Sequence, residues 1–165
     1  MKVYKFGGAS VKNADGVRNL KHIIDGENEL FVIVSAMGKT TNALEEVFDH
    51  YRTGNIEAAQ AKIDEIAAYH QAIIDDLFGE HRTLGQVEAL LSELQRFITT
   101  VPYDASRAEE RYDRTVAFGE LISTTIISEW LNFAGIANHW VDMRRTFVTQ
   151  FRHKDANVDI RTSAL

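Results

Sequence analysis

A run of five apolar residues, Leu30–Val34, constrains the fold more than any other feature of the sequence. A strand on a solvated sheet alternates polar and apolar side chains, so an unbroken apolar run predicts a strand buried on both faces of a parallel sheet. A β-prone run of the same length, Lys2–Phe6, and a helix from about Asn13 to Gly26 precede it. Strand, helix and strand in this order predict a right-handed crossover in an α/β domain.

Helical periodicity follows the second strand. One helix is predicted from near Thr41 to Gly54. Two longer helices, capped by Asn55 and Thr83, are expected to form an antiparallel hairpin that ends at Pro102, the only proline. This part of the chain therefore predicts a helical insert attached to the sheet, spanning about residues 55–112.

The last third of the chain returns to an α/β pattern. A helix is predicted from about Ala105 to Gly135, with an interruption near Phe118. Asn138–Val141 predicts a third strand, and Thr146–Gln150 a fourth. The expected architecture is a mostly parallel sheet between helical layers, an α-β-α sandwich, with the helical hairpin inserted.

Composition excludes several classes of function. The 165 residues correspond to one domain, and 18 basic against 24 acidic residues give a net charge of −6, which argues against nucleic-acid or membrane partners. The absence of cysteine excludes disulfides, thiolate zinc sites and cysteine nucleophiles, and the six histidines show no metal-ligand spacing. No membrane-length apolar run or signal peptide occurs, so we expect a soluble, cytoplasmic protein without a resident metal.

The first candidate site follows the first strand, in the sequence Lys-Phe-Gly-Gly-Ala-Ser-Val of residues 5–11. Ligands in α/β sheets bind beyond the carboxyl ends of the strands, and glycines let backbone N–H groups approach an oxyanion. Lys5, Gly7, Gly8 and Ser10 are therefore candidate phosphate ligands. The alternative is an ordinary turn beside a solvated lysine.

The second candidate site is the loop after Leu30–Val34, which leads from Ser35 into the next helix. Hydroxyl groups and a helix N-terminus at one sheet edge suit an anion. Gly38-Lys39-Thr40 resembles the end of a P-loop, but the first glycine of that motif would fall at Ile33, so a P-loop is rejected. Thr41 is either a substrate contact or a helix cap.

Glu120 is the third candidate, because it is an acid within the apolar run Val116–Ile122. A carboxylate in such a place usually has a cationic partner or faces a cleft, and a substrate ammonium group would serve. The alternative is an acid favoured by the dipole at the start of a helix that follows Gly119. His70, on an apolar helix stripe, is interpreted as a packed core histidine.

Together, residues 5–11, the segment Val34–Asn42 and the sequence Phe118-Gly119-Glu120 resemble the N-terminal part of aspartokinases, most closely the bacterial lysine-sensitive type. The order and spacing of the three motifs and the helical sequence between them all match. The resemblance extends over nearly the whole chain and implies a partial amino acid kinase fold.

The resemblance implies a function as well as a fold. The family uses ATP with Mg²⁺ to phosphorylate the β-carboxylate of L-aspartate, giving 4-phospho-L-aspartate, the entry to lysine, threonine and methionine synthesis. It assigns Lys5 to the transferring phosphoryl group, Gly7, Gly8 and Ser10 to the phosphates, and Thr41, Glu120 and Ser35 to aspartate, with Glu120 taking the ammonium group. Phosphoryl transfer depends mostly on positioning and charge stabilisation, which suits these residue types.

The sequence departs from the family at two points. Ala9 stands where the family usually has threonine, and the family's later glycine-rich nucleotide segment, downstream arginine and aspartate, and ACT regulatory domains have no counterpart. We therefore expect residues 1–165 to form the aspartate-binding lobe of a homo-oligomeric kinase, inactive alone. The alternative is a module of the same fold that binds an amino acid or a partner without phosphoryl transfer.

Overall fold

The protein is described by a computed structural model that covers residues 1–147 and Ser163. Two strands, β1 (Lys2–Phe6) and β2 (Leu30–Val34), pair in parallel, with Lys2 opposite Leu30 and Phe6 opposite Val34. A helix connects them, so the strand, helix and strand order predicted from the sequence is confirmed. Both strands end at the same edge of the sheet, where the two candidate loops begin.

Helices make up most of the described residues. The six α-helices are α1 (Ala14–Ile24), α2 (Thr40–Arg52), α3 (Ile56–Phe78), α4 (Gly85–Thr100), α5 (Ala108–Val116) and α6 (Phe118–Phe133). Three short 3₁₀ helices span Gly8–Val11, Ala105–Arg107 and Met143–Arg145. The predicted interruption of the last long helix is confirmed, because Ala117 separates α5 from α6.

Local hydrogen bonds explain where several helices begin. The side chain of Asn13 accepts from the amide of Gly16 at 3.0 Å, and that of Asn55 accepts from the amide of Ala58 at 3.3 Å. Each satisfies an N–H group that has no partner inside its helix. The predicted cap at Thr83 is wrong: Leu84 precedes α4 and supplies no side-chain bond.

The core lies between the sheet and the helices, and α2 is at its centre. α3 packs along α2, and α4 packs against both α3 and α6. Leu44 and Val47 of α2 are fully buried, and Tyr51 donates a hydrogen bond from its hydroxyl to the carbonyl of Val101 at 3.0 Å. This bond ties α2 to the end of α4, so the helical insert and the sheet share one core.

The prediction that β2 is buried on both faces is wrong for the described residues. Phe31 is 37% exposed and Ile33 is 43% exposed, whereas Val34 is only 7% exposed. Val3 and Lys5 of β1 lie opposite Phe31 and Ile33 in the register and are exposed too. The helices cover only the other face. We call the surface of Val3, Lys5, Phe31 and Ile33 the open face.

The predicted third strand is also wrong. Asn138–Val141 pairs with no described strand and is held against α6 by its own side chains instead. The side-chain amide of Asn138 donates to the carbonyl of Ser128 at 3.1 Å, and the indole of Trp140 donates to the hydroxyl of Thr124 at 2.8 Å. Of the fourth predicted strand, Thr146 and Phe147 are not in a strand, and residues 148–150 lie outside the described part of the chain.

Candidate functional site

Two loops meet at the carboxyl end of the sheet. The first loop is Gly7–Lys12 and the second loop is Ser35–Lys39. The amide of Ser35 donates to the carbonyl of Phe6, and the amide of Gly38 donates to the carbonyl of Gly8, each at 3.0 Å. These bonds extend the pairing of β1 with β2 beyond the strands, so the two loops form a single surface.

Gly8 is required by the closeness of the loops. A Cβ atom at this position would lie 2.5 Å from the carbonyl oxygen of Ala36 and 3.2 Å from that of Gly38. Both contacts are with backbone, which cannot move aside as the end of a side chain can. Any other residue at position 8 would therefore push the loops apart, which explains one of the paired glycines physically.

Helix α6 brings Glu120 to the second loop. Its Oε1 accepts a hydrogen bond from the amide of Ala36 at 3.2 Å, and the hydroxyl of Ser123, one turn later, donates to the carbonyl of Ser35 at 2.8 Å. Gly119 permits this approach, because a Cβ there would lie 2.8 Å from the Cβ of Ala36. The Glu120 carboxylate is exposed and has no cationic partner among the described residues.

The position of Glu120 fits the structural alternative, and its role toward a substrate ammonium group stays a prediction. The residue lies in the first turn of α6, where the helix dipole favours an acid. One carboxylate oxygen is nevertheless fixed by a residue 84 positions earlier in the chain. The group is therefore oriented at the loop edge and still accessible to a ligand.

Helix α2 begins at Thr40, whereas the sequence predicts a start near Thr41. Lys39 precedes the helix, and Thr40 is buried and donates from its hydroxyl to the carbonyl of Met37 at 2.6 Å. Thr41 is in the first turn and is partly exposed. The alternative that Thr41 caps the helix is therefore wrong, and its hydroxyl is not committed to capping.

Lysines without acidic partners gather at these loops. Lys2, Lys21 and Lys62 each pair with a carboxylate elsewhere in the described structure. Lys5, Lys12 and Lys39, which border the two loops, form no ion pair with any described residue. In a chain with a net charge of −6, positive charge left uncompensated at one edge favours an anionic ligand.

The structure brings Gly8, Ser35 and Glu120 together. Gly7 and Ser10 lie in the first loop, where the amide of Ser10 donates to the carbonyl of Gly7 at 2.9 Å, and Ser10 is exposed. Lys5 is on the open face, next to Ile33, and makes no direct contact with Glu120. The candidate residues thus form a loop edge rather than one closed cavity.

Sequence reasoning missed the residues that hold this edge together. Ala36 and Gly38 act through backbone groups, Ser123 fixes the second loop, and Tyr69 contacts the first loop from the helical insert. The contacts of Ala36, Ser123 and Tyr69 join positions 57 to 88 residues apart, and no local pattern encodes them. Among these residues, only Gly38 could be recognised from the local sequence as one that shapes the second loop.

Two further findings concern metal-ligand groups and membrane-spanning helices. In the described ranges, no three side chains of histidine, cysteine, aspartate or glutamate are arranged to hold a metal ion. Within the same residues, no helix is long and apolar enough to cross a membrane.

A family model identifies the class of protein. The model of the amino acid kinase family matches residues 1–164, so the chain belongs to that family. Its relatives within the family are aspartokinases, and the resemblance predicted from the sequence motifs is confirmed. The expectation of an α/β amino acid kinase fold is confirmed as well, although the described sheet has two strands.

The individual matches agree with one another. The chain is 30% identical over 152 residues to bifunctional aspartokinase/homoserine dehydrogenase 1, chloroplastic, of Zea mays, covering 88% of this chain and 16% of that protein. It is 31% identical over 128 residues to the aspartokinase of Chlamydia trachomatis, covering 78% and 27%. The crystal structure of E. coli aspartokinase III with aspartate and ADP matches with a TM-score of 0.80 and 26% identity, over 98% of this chain and 35% of that one.

Proposed function

We propose that this chain forms the aspartate-binding lobe of an aspartate kinase. The observation that carries the proposal is the Glu120 carboxylate, held by the amide of Ala36 at the edge where the two loops meet. The solved relative in complex with aspartate and ADP supports this assignment, because it aligns over 98% of the chain.

The charges at the loop edge suit an amino acid with two carboxylates. Glu120 has one oxygen bound to the second loop and can offer the other to the ammonium group of aspartate. The hydroxyl of Thr41 and Lys39, which has no ion pair with a described residue, lie at the start of α2, where anions are stabilised. The hydroxyl of Ser35 lies at the other end of the second loop, directly after β2. A substrate with one positive and two negative groups would therefore find opposite charges across this edge.

The reaction itself is phosphoryl transfer. An oxygen of the aspartate β-carboxylate attacks the γ-phosphorus of ATP, the new P–O bond forms, and the bond to the ADP oxygen breaks. Lys5 has no acidic partner among the described residues and would offset charge on the transferring group, while Gly7 and Gly8 offer backbone N–H groups and Ser10 offers its hydroxyl in the first loop. ATP would bring Mg²⁺ bound to its phosphates.

We assign the nucleotide-binding half to polypeptide other than these 165 residues, because the chain matches only part of each relative. This chain spans 16% of the Zea mays enzyme and 35% of the solved aspartokinase chain. The open face, with apolar residues beside Lys5, offers a surface for such polypeptide. We infer that the 165 residues alone bind aspartate but do not complete the transfer. The place in lysine, threonine and methionine synthesis, the homo-oligomer and the cytoplasmic location stay predictions.

Calorimetric titration with L-aspartate tests the role of Glu120. Glu120→Gln should weaken aspartate binding about ten-fold or more, since a hydrogen bond to a charged group contributes roughly 1.5–3 kcal/mol. Glu109→Gln is the matched control, because Glu109 is an exposed acid in the first turn of α5. Equal affinities of the Glu120 variant and the wild type would contradict the assignment.

An assay of ATP-dependent aspartyl phosphate formation tests the lobe assignment. We expect no turnover by the chain alone, and turnover when the lobe is joined to a nucleotide-binding half. Turnover by the isolated chain would contradict the assignment. Aspartate binding without transfer, even with the nucleotide half present, would favour a binding module.

A further inference from the structure

Helix α3 is fastened to the start of the α/β part at two points. The hydroxyl of Tyr69 donates to the carbonyl of Lys12, at the end of the first loop. Asp76 accepts from the guanidinium of Arg18 at 2.8 Å, and its carbonyl accepts from the same group at 2.6 Å. Seven residues are about two helical turns, so Tyr69 and Asp76 share one face of α3.

Tyr69 also contacts the second loop. A Cβ atom at Gly38 would lie 2.6 Å from the Tyr69 hydroxyl oxygen and 3.6 Å from the Cβ of Lys12. Gly38 has φ +56°, in the left-handed region, and its amide donates to the carbonyl of Gly8. The hydroxyl is therefore packed where the end of the first loop meets the turn of the second.

We propose that Tyr69 is a positioning residue that holds the two loops at the separation aspartate binding requires. Its effect on the ligand rests on the proposed function, whereas its effect on the loops does not. The hydroxyl fixes the carbonyl of Lys12 and fills the space beside Gly38. Through the bond from Gly38 to Gly8, a shift of the helical insert would be transmitted to both loops.

The chemistry of the phenol suits a fixed hydrogen-bond donor. Burial raises the pKa of Tyr69, so the hydroxyl keeps its proton across the neutral range. The residue as a whole keeps 36% of its surface exposed, because it lies at the boundary between the insert and the loops. A phenylalanine would keep the ring packing and lose only the bond and the contact with Gly38.

A double-mutant cycle measures the contact directly. Gly38→Ala should destabilise the wild-type chain both by its backbone conformation and by collision with the Tyr69 hydroxyl. In a Tyr69→Phe background the collision is relieved. We expect Gly38→Ala to raise the unfolding equilibrium constant by a factor about ten times smaller in that background than in the wild type. A coupling of this size is within the range measured for residues in contact. Additive effects of the two substitutions would overturn the proposal.

Hydrogen exchange gives a second measurement that does not need the alanine variant to fold. In Tyr69→Phe the amide of Gly38 should exchange about five-fold faster, as expected for losing one ordinary hydrogen bond. The amide of Ala59, at the far end of α3, should be unchanged. Tyr103→Phe is the matched control, because the Tyr103 hydroxyl makes no hydrogen bond with described residues. Unchanged exchange at Gly38 would count against the proposal.

Aspartate affinity separates positioning from a merely structural role. Tyr69→Phe should bind L-aspartate about five-fold more weakly than wild type, and Tyr103→Phe equally well. If the cycle shows coupling between Tyr69 and Gly38 but Tyr69→Phe binds L-aspartate as tightly as the wild type, the positioning role is wrong. Failure of the wild-type chain to bind aspartate would count against the proposed function, while the cycle and the exchange measurement would still decide whether Tyr69 holds the loops.

Discussion

The two faces of the β1–β2 sheet differ in what covers them. On the helical side, Phe6 and Val34 are buried at 8% and 7% exposure. On the open face, Val3 and Phe31 retain 56% and 37% of their surface. Parallel sheets are found almost entirely with both faces covered. The apolar side chains of the open face therefore fit a sheet with more protein around it than the described residues supply.

The candidate site also divides between the open face and the helical side of the sheet, and Lys5 shows this. It lies on the open face beside Ile33, whereas Glu120 and the second loop are held by α6 on the helical side. The part of the site assigned to aspartate is thus built by contacts within the described residues. The part assigned to the phosphoryl group includes Lys5, which is exposed on the face that the described helices do not cover.

The largest expected effect compares neighbouring residues on β2. Val34→Ala should lower the free energy of unfolding by roughly 2 kcal/mol, because it leaves a cavity in the core. Ile33→Ala, at the exposed adjacent position, should cost less than about 0.5 kcal/mol in the 165-residue chain. Chemical denaturation of both variants measures the difference. Similar losses would show that the open face is covered in solution and would break the comparison.

A smaller effect concerns acid sensitivity on the helical side. His70 is fully buried, and burial lowers its pKa below the usual value of about 6.5. The folded state binds this proton less readily than the unfolded state, so stability is full above about pH 6.5 and decreases as the pH falls. Denaturation at a series of pH values should show this loss.

Two variants make the acid prediction specific. His70→Gln should have a flatter pH dependence below about pH 6.5, because the buried imidazole is gone. His22→Gln, at an exposed histidine of α1, should behave like the wild type. An unchanged acid response in the His70 variant would mean that carboxylates cause the loss.

The smallest effect appears at alkaline pH. The Tyr112 hydroxyl donates to the Glu45 carboxylate at 2.6 Å, and this bond raises the pKa of Tyr112 to about 12. The folded state therefore keeps this proton longer, and its contribution to stability is lost between about pH 10 and the folded pKa. Ultraviolet titration of tyrosinate should show the shift, and Glu45→Gln should bring it back toward the ordinary value. Glu46→Gln, an exposed neighbour, should leave it in place.

Much of the fold could be predicted because it depends on local chemistry. The Asn13 and Asn55 caps and the break before α6 lie within a few residues of what they determine. The strand predicted at Asn138–Val141 is wrong because a strand needs a neighbour to pair with, and this segment instead bonds to α6 through its own side chains. The burial of β2 was overestimated for the same reason: it depends on protein packed against its second face.

In the candidate site, too, local features could be predicted and contacts between distant residues could not. The motifs indicated Gly8, Ser35 and Glu120, because glycine pairs, hydroxyls and an acid in an apolar run are visible locally. They did not indicate that the amide of Ala36 would bind Glu120, or that Tyr69 would reach the loops, because those contacts form only when distant helices pack. Candidate functional residues could therefore be predicted from the sequence more readily than the residues that position them.

The most direct test of the central claim is an amide NMR titration of the 165-residue chain with L-aspartate. We expect shifts at Gly8, Ala36 and Gly38, where the loops meet Glu120, and little change at Val3 on the open face. We also expect Glu120→Gln to abolish these shifts at the same aspartate concentration. No response at the loop edge, or shifts confined to the open face, would contradict the claim that this edge binds aspartate.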